Sequence, residues 1–413
     1  MVCASTFFLF SDGVSSISKW LVLCVIIVLT IAFIPLYFVI THLLLSPIDT
    51  YLKNQIISKA KSKIAALPKL KVIAITGSYG KTSTKEIIKT LLDEKYKVVT
   101  PDGNKNTPLW ISETIMKKLD ETSEVCIVEM WAYERWNIKE LCDLVWGPDI
   151  SILTGITIQH LERFGSLENI QDTKFEIIDN VVDNGAVIID ISSTWAQSAY
   201  ENKKATIKTT DIITLEKPTN YTFLPNFQGL EFQIDEITYQ TKLIAPHSIN
   251  AIKIAVICAL KLWLTQEQIQ SGIKKITYVP HRMEVLKNPK GLTIIDDSYN
   301  GNIEWVNSIV QVLEKTPFSW RKVIIAGWVV ELWIKLSEVN QKIGELFSKV
   351  AQLVLIAKGP VWESIAKWLI LAGFEEKNIK IYETGLDIHK DLPNVLQNTD
   401  VVVFQNDLPD NYL

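Results

Sequence analysis

The chain has 413 residues, room for two or three domains. Its formal net charge is −4, with no basic excess of the kind that binds nucleic acid, so no nucleic-acid partner is expected. The five cysteines, at 3, 24, 126, 142 and 258, form no C-x-x-C pair, which excludes a zinc ribbon and a disulfide framework and fits a reducing cytosol.

In chain order, residues 1–19 are weakly apolar and uninformative. Trp20 to Leu45 contains no Lys, Arg, Asp or Glu. That length suits a membrane-spanning helix, with Pro35 tolerated as a kink. A cleaved signal peptide would have a shorter apolar run and a small-residue cleavage site. A buried core helix is rarely apolar on every face. We expect a single-pass anchor within residues 1–50. Residues 51–70 carry Lys53, Lys59, Lys61, Lys63 and Lys69 without an acid, and read as a basic juxtamembrane linker or simply a solvated helix face. The positive-inside tendency puts the chain beyond residue 50 on the cytoplasmic face of the cell membrane, where membrane lipid is an expected partner.

The strand-like run Lys71–Thr76 ends in Gly77-Ser78-Tyr79-Gly80-Lys81-Thr82-Ser83, and a helical pattern continues to Leu92. Strand, glycine loop and helix in that order make a phosphate-binding loop. Its backbone N–H groups and the helix N-terminus attract phosphate, Lys81 reaches the terminal phosphates, and Thr82 can ligate Mg²⁺. A nucleoside triphosphate is the expected ligand. The bland alternative is a glycine turn in an ordinary α/β domain.

Further strand-like runs at 96–100, 124–130, 149–156 and 185–190 alternate with helical patterns, which predicts a parallel α/β sheet. Residues 204–245, including Ile212–Leu215 and Gly229–Ile234, read as a small β meander, and 249–274 as helices. Pro280-His281-Arg282 marks a boundary. Strands at 292–296, 322–326, 353–357, 378–382 and 400–404 then alternate with helices, a second nucleotide-fold-like domain. The expected fold class is α/β, with domains at 71–280 and 281–413 behind the anchor and linker.

Several segments resemble the Mur ligases, ATP-dependent amide-bond-forming enzymes of peptidoglycan synthesis, in order and spacing. The phosphate loop is similar to T-G-T-x-G-K-T-S/T. Gly103-Asn104-Lys105-Asn106-Thr107-Pro108-Leu109 resembles a shortened G-N-x-N-x-x-x-P-L, and Val128-Glu129-Met130-Trp131-Ala132 resembles E-M-G-A. Gln159-His160-Leu161-Glu162-Arg163-Phe164-Gly165-Ser166 resembles A-H-L-x-x-F-G-S, Lys174-Phe175-Glu176-Ile177 resembles K-x-E-I, and Arg282-Met283-Glu284 resembles R-x-E. Asp296-Asp297-Ser298-Tyr299-Asn300-Gly301-Asn302 is similar to the run that marks the D-alanyl-D-alanine-adding branch. The resemblance spans roughly residues 70–404. It implies a phosphate-loop central domain, a Rossmann-like C-terminal domain, and ligation through an acyl phosphate of a muramoyl-peptide acceptor to D-alanyl-D-alanine.

The resemblance also implies roles. Gly77, Ser78, Tyr79, Gly80, Lys81, Thr82 and Ser83 would hold ATP, with Asn250, Asp297 and Asn300 as further nucleotide contacts. Thr82 and Glu129 would hold one Mg²⁺, and His160 a second. Lys174 matches the lysine that the family carbamoylates, making an anionic ligand for that second metal. Arg282 would meet the γ-phosphate. Crowded negative charge in the reaction explains the cations. Read alone, Glu129 is a strand-end carboxylate, His160 a structural histidine, Lys174 a surface lysine, Arg282 an ion-pair member and Asp296-Asp297 a turn.

The chain departs from the pattern in three ways. Trp110, Trp131, Trp136, Trp263, Trp328, Trp333 and Trp368 fall where glycine is expected, and the chain has 13 Trp against 17 Gly. One cause covers all seven: a gene that reads UGA as glycine, translated here with UGA as tryptophan. Exchanging about eleven of the tryptophans would restore the usual glycine share of roughly 7%. Genuine tryptophans with a degraded, inactive site are the alternative. Second, the domain that holds a UDP-sugar in full-length members has no counterpart before the loop, so a lipid-linked acceptor or a protein partner supplying those contacts is expected. Third, Gln405-Asn406-Asp407-Leu408-Pro409 stands where K-G-S is usual, and His247-Ser-Ile-Asn250-Ala251 is one residue short of H-N-x-x-N-A. The rival functions are a ligase or amidating enzyme acting on a lipid-linked precursor, and a membrane-tethered ATP-binding scaffold.

Overall fold

The computed structural model describes residues 16–103, 105–132, 134–158, 161–288, 291–299, 303–327, 336–359 and 361–405. The chain divides into two units, 1–59 and 60–413.

One helix runs from Ser16 to Ala65 with Pro35 and Pro47 inside it. Trp20, Val28, Phe38 and Leu44 are among its exposed apolar side chains. By length and composition it could cross a membrane. The segment expected as a linker from residue 51 is helical as far as Ala65, because nothing before Pro68 breaks it.

The first sheet holds β1 (Lys71–Thr76), β2 (Val98–Val99), β3 (Val125–Glu129), β4 (Ile150–Leu153), β5 (Ala186–Asp190) and β6 (Ile212–Leu215) in the order β2-β3-β1-β4-β5-β6. All its pairings are parallel. Helices cover both faces of such a sheet, which is why β1 and β3 to β5 read as almost unbroken apolar runs. The strand Ile212–Leu215, expected in the meander, is instead the sixth strand here. It is only half-buried, so its short run carried no sign of a core strand.

The meander is β7 (Tyr221–Phe223), β8 (Leu230–Ile234) and β9 (Ile237–Thr241), antiparallel throughout. Helices Ser248–Lys261 and Gln266–Lys275 come next, the second started by a capping box at Thr265 and Gln268. The last sheet holds β10 (Glu284–Lys287), β11 (Thr293–Asp297), β12 (Lys322–Ala326), β13 (Leu353–Ala357), β14 (Ile379–Tyr382) and β15 (Val401–Gln405), ordered β10-β11-β15-β12-β13-β14. Only β10 runs antiparallel, paired with β11 as an edge hairpin that its sequence did not announce.

Trp136, Trp146 and Trp263 have φ of 75°, 61° and 60°. This is the left-handed region, where glycine is free of the strain a Cβ brings. All three side chains are exposed, so no packing offsets that strain fully. Trp110 and Trp368 lie inside helices. Trp328 and Trp333 lie outside the described residues.

Candidate active site

β1 lies between β3 and β4, so the chain leaves it toward one side of the sheet and later resumes on the other. Ligands of open parallel sheets bind in the crevice this reversal opens beyond the carboxyl ends. Glu129 closes β3 beside Ile75, and Leu153 closes β4 beside Thr76.

The phosphate loop springs from that point. Gly77 has φ +153°, and a Cβ there would stand 2.2 Å from Thr154 Oγ1. Gly80, at φ 76°, turns the chain into the helix Lys81–Leu92, whose first turn no side chain caps. Its N–H groups are therefore available to an anion. The Ser78 N–H donates to Gly155 O at 2.9 Å, tying the loop to the segment after β4.

Lys81 Nζ donates to Gly77 O at 2.8 Å. Burial pushes its amine down to about 8; Glu129 opposes this and Arg282 reinforces it. A bound phosphate would supply the missing negative charge. The Thr82 hydroxyl donates to Glu129 Oε2 at 3.0 Å, and Asn106 Nδ2 to Glu129 Oε1 at 3.2 Å. Sequence reasoning gave Asn106 no role and passed over Lys85. Lys85 is fully buried, with Nζ donating to Pro101 O at 3.0 Å and standing 3.8 Å from Glu129 Oε2. Its one signal was a lysine on the buried face of the helix, one turn after Lys81.

Lys174 sits on the helix Leu167–Asp179, which Ser166 caps by accepting from the Asn169 N–H. It is 3% exposed. Burial first, then the charge of Lys81, hold its amine well below the usual lysine range, against the pull of Glu176. Glu176 itself accepts from the backbone N–H groups of Trp136 and Lys139, at 2.6 and 3.0 Å.

The C-terminal sheet supplies the other wall. The Arg282 guanidinium lies 4.5 Å from the Tyr299 ring and 5.2 Å from the Trp305 ring. It shares a cavity of about 50 Å³ with Tyr79, Gly80, Ser83 and His247. Burial, reinforced by Arg282, pushes His247 down to about 4. The Asp297 carboxyl is raised to about 7 by burial, against the pull of Arg282. Its Oδ1 accepts from the Met283 N–H at 3.3 Å, and its Oδ2 has no hydrogen-bond partner. Asn250 donates to Glu216 O at 3.1 Å, which leaves its buried Oδ1 an orphan acceptor beside a second cavity of about 100 Å³. His160 and Asn300 lie outside the described residues.

These features fit a Mg-nucleotide. Two glycines form a cradle that side chains would fill, cations crowd its mouth, and the orphan Asn250 acceptor faces a pocket. Among the described residues no group of three His, Cys, Asp or Glu could hold a metal by itself. One carboxylate and one hydroxyl, completed by phosphate oxygens and water, is how Mg²⁺ is usually held.

A profile of the Mur ligase middle domain matches residues 75–259. The UDP-N-acetylmuramoyl-tripeptide–D-alanyl-D-alanine ligase of Bacillus subtilis is 24% identical over 343 residues, 81% of this chain and 72% of that enzyme. The Escherichia coli enzyme of the same name is 25% identical over 67% of this chain and 61% of its own length. The fold is similar to that of MurF ligase from Thermotoga maritima in complex with ADP, with a TM-score of 0.72 and 24% identity over 86% of this chain and 80% of that one.

Proposed function

We propose that the chain is a Mur ligase, on the match of residues 75–259 to the Mur ligase middle domain, and that it uses ATP to join D-alanyl-D-alanine to a muramoyl peptide. The observation that carries this is the Thr82–Glu129 pair at the foot of the phosphate loop, with Lys81 under the charges of Glu129 and Arg282 and Lys174 under that of Lys81.

An acceptor carboxylate oxygen attacks the γ-phosphorus, the bond to the β,γ-bridging oxygen breaks, and ADP leaves. The dipeptide amine then attacks the acyl phosphate carbon and loses a proton, and phosphate departs from the tetrahedral intermediate. Gly77 to Ser83 wrap the phosphates with backbone N–H groups, Lys81 holds the terminal ones, and Arg282 offsets the charge that grows on the transferred group. Thr82 and Glu129 would hold Mg²⁺, which would neutralise phosphate charge. His160, outside the described residues, would help hold a second metal by the family resemblance. Asn250 and Asp297 would contact the nucleotide, and so would Asn300 by the family resemblance.

Lys174 is the residue to be carbamoylated. Its depressed pKa favours the neutral amine, whose nitrogen can attack CO₂, forming the N–C bond as a C=O π bond opens and a proton is released. The resulting carbamate would put an anionic metal ligand where the amine stood. Exchanging Lys174 for Ala is expected to cut turnover at least about 100-fold.

The long apolar helix favours a second reading of the acceptor. It anchors the chain at the cytoplasmic face of the membrane, where the acceptor is lipid-linked and a protein partner completes its binding. Mass spectrometry of the ligated peptide tests both readings. Product is expected only with ATP, Mg²⁺, D-alanyl-D-alanine and an acceptor together. Its absence with both soluble and lipid-linked acceptors would remove the proposal.

A further inference from the structure

Tyr79 is the aromatic residue of the phosphate loop. Its ring lies against the backbone of Gly155, where a Cβ would come within 2.6 Å of Tyr79 Cζ and Oη. The phenol faces Ser192 and Ser193 beyond the end of β5, with the charges of Asp190 and Glu304 near it. The ring also borders both cavities. One holds Gly80, Ser83 and Arg282, the phosphate side; the other holds Asn250 with its orphan acceptor. A group bound across the two must pass Tyr79. In a nucleoside triphosphate, the part between phosphates and base is the ribose.

We propose that Tyr79 is a specificity-determining residue that packs its ring against the nucleoside, so that the phosphate loop itself reads ribose and base as well as phosphate. This rests on the nucleotide reading of the site above. Two physical arguments carry it. An aromatic ring gives a flat apolar surface for a sugar or base, at little conformational cost because only two side-chain torsions are fixed. The hydroxyl already faces two serines, so the ring rather than the phenol is what a ligand meets. The backbone of Tyr79 is pinned as well, since Thr154 Oγ1 donates to its carbonyl. The ring is thus held in place before any ligand arrives.

The test is calorimetric titration of the full chain with Mg-ATP, Mg-ADP and inorganic tripolyphosphate, for the wild type and for Tyr79→Ala, Tyr79→Leu and Tyr79→Phe. Tyr79→Ala and Tyr79→Leu are expected to weaken ATP and ADP binding about tenfold, the scale of one lost aromatic contact. Tripolyphosphate binding should stay within about twofold, and Tyr79→Phe should behave as wild type throughout. Leucine fills the space of the ring, so the Leu–Phe contrast serves if the alanine variant fails to fold. Tripolyphosphate falling in step with ATP would mean that the ring only shapes the loop, and would overturn the proposal. Unchanged ATP binding in Tyr79→Leu would overturn it too. A wild type that binds tripolyphosphate but not ATP or ADP would overturn it while leaving a phosphate site. Binding of none of the three would overturn the nucleotide reading with it.

Discussion

Trp136 and Trp263 each hold a left-handed backbone with the largest side chain in the repertoire, and both side chains are exposed. The strain is of order 1 kcal/mol per residue. Trp136→Gly and Trp263→Gly should therefore each stabilise the fold by about 1 kcal/mol, and together by about 2, because separated sites add. Denaturant titration measures this; a loss of stability in both would show that the tryptophans fit their places. The codons test the cause directly: UGG at 131, 136 and 333 would refute the recoding explanation. Asp297 gives a pH prediction. Its carboxyl is raised from 3.8 to about 7, so between those values the folded state holds a proton that the unfolded state has lost. Stability then falls as pH rises through that window and levels off above it. Asp297→Asn should be more stable than wild type at pH 8, with the gap closing toward pH 4. A gap that widens toward acid would contradict the assignment.

At the scale of elements, the phosphate loop depends on one close approach. Gly77→Ala drives a Cβ into Thr154 Oγ1 at a strained φ. It should abolish ATP binding in calorimetry and cost about 2 kcal/mol or more of stability. Retained ATP affinity would mean that the loop is not the phosphate site. Strands β1, β3 and β5 were legible in the sequence to within a residue or so, since burial on both faces leaves an apolar run with sharp ends. The bounds of β6 were legible but its sheet was not, and β10 was missed, because an edge strand packs less and its composition says little. The site was legible where chemistry is local, in the loop and in Glu129 at a strand end. Lys85 was not, because its partners Pro101, Gly103 and Glu129 come from other elements. The burial that makes Lys174 unlike a surface lysine is likewise set by packing, not by spacing.

The whole chain carries both a helix long enough to span a bilayer and a Mur-ligase-like fold. The full chain should float with phospholipid vesicles and stay bound after a high-salt wash, since apolar burial is not screened. Release by salt would point to the lysines of 51–70 and to surface attachment alone. The central claim is amide ligation driven by ATP. Its most direct test is phosphate release from ATP with D-alanyl-D-alanine and either UDP-N-acetylmuramoyl-tripeptide or its lipid-linked form, using the chain with glycine at the seven tryptophan positions and Lys81→Ala as control. Phosphate release should require an acceptor and disappear with Lys81→Ala. Tight ATP binding with no acceptor-dependent release from either form would contradict it, and would leave a nucleotide-binding scaffold.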